Sequence, residues 1–137
     1  MLSDSVLLAL QRATHHTLQA LSTALAALDL TPSEINTLAN LSDGHARSVR
    51  ELSADTGTRS TTLTGVLDRL ERRGYVTREL DPADRRSFRI TLTAPGRTAA
   101  RKVGAAITEL ETAALAGLSA RQLAGYHAVV TALQEVS

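Results

Sequence analysis

The segment spanning residues 48–93 constrains the fold most strongly, because signals for two short helices are followed directly by signals for two strands. Gly57 separates the two helical stretches, and apolar residues recur over 63–70 at the spacing of one helix face. Residues 75–80 and 89–93 instead alternate between polar and apolar side chains, as strands do. The segment therefore predicts a helix, a tight turn, a second helix and a β-hairpin, in that order.

Helical signals also flank this segment on both sides. An apolar seam with spacings of three and four predicts a first helix over residues 3–29. Residues 31–34, Thr-Pro-Ser-Glu, provide a cap, a first-turn proline and a first-turn acid for a second helix. Ser48 is predicted to start the third helix, Thr58 to cap the fourth and Ser119 to cap the last. The first seam comprises Leu7, Leu10, Thr14, Leu18, Leu21, Leu25 and Leu28, and the last helix carries Leu123, Tyr126, Val130 and Leu133.

These elements predict a mainly α fold with a small β-hairpin. Gly74 ends the fourth helix, and residues 93–96 begin another helix after the hairpin. At 137 residues the chain suits one domain. The first helix is too long and too one-sided to be buried by that domain alone, so a partner helix is expected.

Composition excludes several classes of protein. The chain has no cysteine, which excludes disulfides, cysteine-based zinc sites, thiol catalysis and cysteine redox sensing. Its apolar runs fall far short of the roughly 20 residues that cross a bilayer. Asp4 lies where a signal peptide would carry a basic residue. We therefore expect a cytoplasmic protein with no membrane partner.

Charge is distributed unevenly along the chain. Between His45 and Arg101 there are twelve arginines and seven acidic residues, whereas the rest of the chain has three basic and seven acidic residues. Such asymmetry is typical of a central segment that faces a polyanion. A solvated charged surface is the alternative explanation.

The fourth helix begins with short polar side chains that suit a nucleic-acid groove. Arg59, Ser60, Thr61 and Thr64 lie opposite its apolar face. Ser and Thr hydroxyls can bond phosphates or base edges, and the Thr methyl can meet a thymine methyl. The helix N-terminus itself attracts phosphate. Taken alone, this pattern fits an ordinary Ser/Thr-rich helix start equally well.

The hairpin adds a second signal for DNA. Its tip is predicted to carry Arg85 and Arg86 on a protrusion beside the fourth helix, and guanidinium groups suit the narrow minor groove of A·T-rich DNA. The alternative is a solvent-facing turn in which Asp81 and Asp84 pair with the two arginines. Asp84 could also neutralise one arginine and orient the other. The helix-turn-helix and the hairpin together favour the DNA interpretation.

Signals for other chemistry are weak. The sequence lacks a Gly-rich phosphate loop, a histidine beside a plausible nucleophile and paired carboxylates in an apolar setting, so an enzyme is not expected. His15 and His16 are adjacent rather than four apart, which disfavours a metal site. Arg12 with these two imidazoles can instead hold a carboxylate or phenolate. An exposed polar helix face is the simpler explanation of the three residues.

Residues 30–100 resemble the MarR family of winged-helix regulators in the order and spacing of their motifs. The matching segments are RSTT at 59–62, LDRLERRGYV at 67–76, DPADRR at 81–86, LT at 92–93 and GR at 96–97. This combination is far more specific than an isolated helix-turn-helix. The resemblance implies a winged helix-turn-helix core over 31–96 and a helical dimerisation region formed by the N- and C-terminal helices, residues 3–29 and 97–137.

The resemblance also implies partners. A homodimer would bind a pseudo-palindromic operator in double-stranded DNA, with recognition helices about one turn of DNA apart, ~34 Å. Helix 59–73 would enter the major groove and the wing, residues 81–88, the minor groove. Regulators of this family are most often repressors, released by a small phenolic or anionic effector, for which Arg12, His15 and His16 are the candidate residues. No cofactor is implied. The predicted DNA-binding residues are Ser48, Arg50, Arg59, Ser60, Thr61, Thr62, Thr64, Arg85 and Arg86.

Two positions depart from the family pattern, and one alternative function stays open. Gly65 lies on the exposed recognition face, where relatives often carry a longer polar side chain. Arg59 occupies a position at which some relatives place an acid that tethers a wing arginine, which makes Arg59 a candidate phosphate contact. The alternative function is a winged-helix module that binds a protein through the same face, without specific DNA binding. The even spread of arginine between the helix start and the wing argues against it.

Overall fold

Hydroxyl side chains set most of the helix starts in the computed structural model, which describes residues 2–136. Ser5, Thr31, Ser48 and Ser119 each accept a backbone N–H from three residues further on, and the last three are completed into capping boxes by a Glu or Gln. The elements in chain order are α1 (Val6–Ala24), α2 (Pro32–Leu41), β1 (Arg47–Ser48), α3 (Val49–Thr56), α4 (Ser60–Arg72), β2 (Val76–Asp81), β3 (Asp84–Leu92), α5 (Ala94–Leu115) and α6 (Ala120–Gln134).

Two predicted boundaries are wrong. The first helix, predicted over 3–29, ends at Ala24 and is followed by a 3-10 turn over Ala26–Leu28. Asp29 then adopts φ 50°, a left-handed conformation that cannot continue a right-handed helix. Thr58 does not cap α4, because its carbonyl is held by the Ser53 hydroxyl at 2.5 Å. Arg59 occupies the N-cap position instead and makes no side-chain capping bond.

The predicted hairpin is present, and a third strand completes the sheet. The strand order is β1-β3-β2, with antiparallel pairing throughout. β1 is only two residues long, and it pairs Arg47 with Ile90 and Ser48 with Arg89. Because Ser48 is also the N-cap of α3, the sheet fixes the point at which the helix-turn-helix begins.

The chain divides into two units, the first ending at Ile107 and the second starting at Thr108. In the first unit the apolar residues of α4 lie in the core, each at most 1% exposed, so the opposite face of α4 must point outward. Sheet residues Val76 and Ile90 are buried in the same core. The remaining buried apolar residues are Leu25, Ile35, Leu38, Leu41, Leu52, Ala99, Ala100 and Val103.

Arg73, at the end of α4, ties that helix to the turn after α1. Its guanidinium donates to the carbonyl oxygens of Leu28 and Asp29, the latter at 2.7 Å. The buried carboxylate of Glu34 lies 3.8 Å away, and the ring centroid of Tyr75 lies 5.1 Å from the guanidinium carbon. The C-terminal end of α4 is therefore fixed by polar contacts as well as by the core.

In the second unit, α6 has no buried residue among those the structure describes. Its predicted stripe is half-buried at Leu123, Val130 and Leu133, whereas Tyr126 is 53% exposed. Val129 is also 41% exposed. Within residues 2–136, no helix has both the length and the apolar content to cross a membrane.

Candidate nucleic-acid interface

The outward face of α4 presents short side chains at its N-terminal end. Ser60, Thr61, Thr62 and Thr64 are all exposed. The Thr64 hydroxyl donates to the carbonyl of Ser60 at 2.9 Å, so it offers a methyl and lone pairs but no free proton. The other three hydroxyls make no hydrogen bond within residues 2–136, and each can donate to a ligand. Gly65 is half-buried on this helix and carries no side chain of its own, and the Arg69 guanidinium is the nearest group to the position that a Cβ would take there.

Predicted DNA-contact residues lie at the start of each helix of the helix-turn-helix. Ser48 is half-buried, and its oxygen accepts the N–H of Glu51 at 3.1 Å, which leaves its hydroxyl proton available. Arg50 is exposed in the first turn of α3, and Arg59 is exposed at the N-cap of α4. Gly57, with φ 73°, makes the tight turn that brings the two helices together.

The wing holds its arginines just after the turn rather than at its apex. Leu80 pairs with Phe88 and Asp81 pairs with Asp84, so the three residues 85–87 have no partner on β2. This bulge corrects the predicted position of Arg85 and Arg86, which are exposed residues of β3. A bulge bends a strand and re-aims its side chains, so Arg85 and Arg86 are not bound to the alternation of the paired part of β3.

The wing carboxylates are turned toward the backbone instead of toward the arginines. Asp81 Oδ1 accepts the N–H of Ala83 at 2.9 Å, and Asp84 Oδ1 accepts the N–H of Arg86 at 3.0 Å. Aspartates commonly hydrogen-bond to an N–H two residues on in this way. Within residues 2–136 neither aspartate forms an ion pair, so the predicted neutralisation of Arg85 and Arg86 does not occur.

Arg78, which sequence reasoning missed, clasps β2 to α4. Its guanidinium pairs with the carboxylate of Asp68 and lies 3.5 Å from the carbonyl of Thr64. Its Nε is buried without a hydrogen bond, 3.9 Å from the Glu71 carboxylate. We call Arg78, Asp68 and Glu71 the wing clasp. One sequence signal pointed to it, because Arg78 lies two residues after the apolar Val76 and therefore shares its inward face of the strand.

Arg47 is a third structural arginine, after Arg73 and Arg78. It donates to the carboxylates of Asp43 and Asp55, which links the end of α2 to β1 and α3. The hydrogen bond from Arg47, together with the N–H of His45, holds the pKa of Asp43 far below its usual range. The same pairing raises the pKa of Arg47. By contrast, none of the four predicted DNA-contacting arginines forms an ion pair within the described residues.

The candidate effector residues lie apart from this surface along the chain. Arg12, His15 and His16 are exposed on α1, and none makes a side-chain hydrogen bond within residues 2–136. Their role stays a prediction. No group of three or more His, Asp or Glu side chains suited to a metal occurs in the described part of the chain.

Sequence comparison matches the helix-turn-helix and wing to a known family. Residues 28–87 match the model of the MarR family. The uncharacterized HTH-type transcriptional regulator YcgE of Bacillus subtilis (strain 168) is 40% identical over 63 residues, which are 46% of this chain and 41% of the relative. The matched part therefore spans less than half the length of that relative.

Structural comparison extends the similarity to nearly the whole chain. CouR from Rhodococcus jostii RHA1, solved in complex with p-coumaroyl-CoA, has a TM-score of 0.86 at 25% identity, over 100% of this chain and 96% of that chain. BpsR of Bordetella bronchiseptica, whose DNA binding is regulated by 6-hydroxynicotinic acid, has a TM-score of 0.82 at 23% identity, over 100% and 98%. At 23% identity, the likeness to BpsR establishes the shared fold alone. Together with the motifs on α4 and the wing, these matches identify residues 28–87 as the winged helix-turn-helix region of the MarR family of transcriptional regulators, a family of regulators rather than enzymes, and nearly the whole chain shares the fold of such regulators.

Proposed function

We propose that the protein regulates transcription by binding double-stranded DNA, with α4 in the major groove and the wing in the adjacent minor groove. The observation that carries the proposal is which arginines are paired with carboxylates and which are not. Arg47, Arg73 and Arg78 are paired with carboxylates, whereas Arg50, Arg59, Arg85 and Arg86 are exposed and unpaired within residues 2–136. Unpaired guanidinium groups release counterions when they meet phosphates, and this release drives DNA binding.

The wing clasp supports the same arrangement. Arg78 fixes β2 to α4 near Thr64, which is itself a predicted contact. The recognition helix and the wing are thereby presented to a duplex as one preformed surface. Preorganised surfaces avoid the entropic cost of ordering on binding.

We infer that the protein acts as a homodimer on a pseudo-palindromic operator. Exposed apolar side chains occur on the helices assigned to dimerisation. On α1, Val6 and Leu7 are 57% and 49% exposed, and on α6, Tyr126 and Val129 are 53% and 41% exposed. Apolar side chains clustered on exposed helices favour a protein partner. We propose that this protein partner is a second copy of the chain. A dimer would then carry two recognition helices about one DNA turn apart, ~34 Å.

The proposed regulation is repression relieved by a small aromatic effector. CouR binds p-coumaroyl-CoA, a phenolic thioester, and BpsR responds to 6-hydroxynicotinic acid, a hydroxylated aromatic acid. We extend that ligand class to this protein. Arg12, His15 and His16 are the proposed partners of its anionic or phenolic group, since an arginine and imidazoles suit both. A cytoplasmic location is part of the proposal, because the proposed DNA partner lies in that compartment.

Fluorescence anisotropy tests the DNA-binding part of the proposal. A labelled duplex from immediately upstream of the protein's own gene and an unrelated duplex of equal length are titrated at 50 and 200 mM salt. We expect tighter binding to the upstream duplex and a steep loss of affinity with salt. Equal, weak binding to both duplexes at both salt concentrations would instead favour the protein-interaction module. Adding 6-hydroxynicotinic acid or p-coumarate to the preformed complex then tests release, and unchanged anisotropy would contradict that effector class.

A further inference from the structure

Two large apolar side chains stand exposed on the wing. Leu80 is 56% exposed and Phe88 is 45% exposed, and they lie directly opposite each other in the β2–β3 pairing. Opposite residues of antiparallel strands have Cβ atoms about 5 Å apart, so the two side chains form one continuous patch. We call Leu80 and Phe88 the wing patch. Phe88 is the only phenylalanine of the chain.

The wing patch faces the side of the sheet that carries the core. Phe88 and Ile90 share one face of β3 because they are two residues apart, and Ile90 is fully buried. The opposite face is polar, and its Thr77 and Thr91 hydroxyls are 2.9 Å apart. The wing patch therefore extends the core-facing side of the sheet beyond the part that is buried in the core.

The cleft beside Phe88 is shaped by the wing and the start of α3. Its volume is about 510 Å³, and Val49, Arg50 and Arg86 line it together with Phe88. Three carboxylates, from Glu51, Asp81 and Asp84, line it as well. Each of them accepts a backbone N–H, but together they still outnumber the two arginines. The cleft wall is therefore unsuited to a phosphate, whereas an uncharged group can contact its apolar part.

We propose that the wing patch packs against the deoxyribose edges that wall the minor groove, beside the point where Arg86 enters it. This inference rests on the proposed DNA-binding function and adds an uncharged contact to it. Arg86 lies two residues before Phe88, is exposed and forms no ion pair within residues 2–136, so the patch continues the proposed DNA contact of the wing, which commits it to DNA rather than to an apolar protein partner. Leu and Phe side chains contact the minor groove in several other classes of DNA-binding protein.

An uncharged contact has a distinct signature in the salt dependence of binding. Only phosphate neutralisation releases counterions, so losing an apolar contact lowers affinity equally at all salt concentrations. We expect Phe88→Ser, and Leu80→Ser likewise, to raise the Kd for the upstream duplex by roughly tenfold, the scale of burying part of one aromatic side chain. The slope of log K against log salt stays as in the wild type. Phe88→Leu, which keeps an apolar group, restores most of the affinity, and Arg86→Ala serves as the contrast because it lowers the magnitude of the slope by about one per protomer.

Three results would overturn the inference, and they are distinguishable. A wild-type protein that binds neither duplex would overturn the proposed function and the inference together. Wild-type binding with an unchanged Kd for both serine variants, whose folding is checked by circular dichroism, would overturn only the inference. A changed oligomeric state of free Phe88→Ser in sedimentation velocity would assign the patch to a second copy of the chain instead of to DNA.

Discussion

Alanine substitutions at Gly65 and Gly96 should shift the stability of the protein in opposite directions. Gly65 lies inside α4, and a Cβ built there has Arg69 Nη1 as its nearest atom at 3.8 Å, an ordinary contact. Alanine is favoured over glycine by about 0.8–1.0 kcal/mol in a helix interior. We therefore expect Gly65→Ala to raise the free energy of unfolding by about 0.5–1 kcal/mol.

Gly96 lies in the first turn of α5 and is buried. A Cβ there would overlap the carbonyl oxygen of Tyr75 and lie 2.8 Å from its carbonyl carbon. Tyr75 cannot simply move, because its carbonyl accepts the N–H of Thr93 at 3.0 Å. Overpacking costs about 1–3 kcal/mol and a lost hydrogen bond about 1 kcal/mol. After the gain in helix propensity is subtracted, Gly96→Ala should lower the free energy of unfolding by about 2 kcal/mol.

Urea unfolding followed by circular dichroism measures both effects. All proteins are compared at one concentration, because the proposed dimerisation would make apparent stability depend on concentration. With a slope of about 2 kcal/mol per molar urea, the midpoint should rise by roughly 0.3–0.5 M for Gly65→Ala and fall by roughly 1 M for Gly96→Ala. A midpoint for Gly96→Ala within error of the wild type would refute the close approach of α5 to Tyr75. A lowered midpoint for Gly65→Ala would refute the open surroundings of Gly65.

Three further substitutions separate the roles of individual side chains. Arg86→Ala should weaken binding to the operator duplex by about 1–3 kcal/mol in anisotropy titrations, and unchanged affinity would remove the wing arginine from the interface. Arg78→Ala should cost about 1 kcal/mol of stability or less, since its partner Asp68 is half-exposed, yet reduce DNA affinity by releasing the wing from α4. A double-mutant cycle with Asp68→Ala measures that coupling, and additive effects on affinity would contradict it. Ser48→Ala should lower the free energy of unfolding by about 1 kcal/mol in urea melts through loss of the α3 cap, whereas a neutral effect would mean that the cap is dispensable.

Local signals sufficed for most of the fold. Thr31, Ser48 and Ser119 cap helices as predicted, because the capping bond reaches only three residues along the chain. Gly74 ends α4 with φ 77°, as its position after the apolar run indicated. The strand that the sequence did not indicate depends on a distant contact. The two residues of β1 become a strand only by pairing with β3, and no periodicity can appear over two residues.

The sequence predicts a location for the candidate site but not its electrostatics. The surplus of arginine in the central segment indicates which part of the chain faces DNA, yet a sequence does not show which arginines are left without a carboxylate partner. Arg78 is neutralised by acids on α4, seven and ten residues before it in the chain, whereas Arg86 keeps its charge although Asp84 is two residues away. The difference arises because Asp84 bonds the backbone N–H of Arg86 and turns away from its guanidinium. Proximity in sequence therefore favoured the wrong ion pair, and the charge available to DNA is set by how each carboxylate is oriented by its own turn or helix.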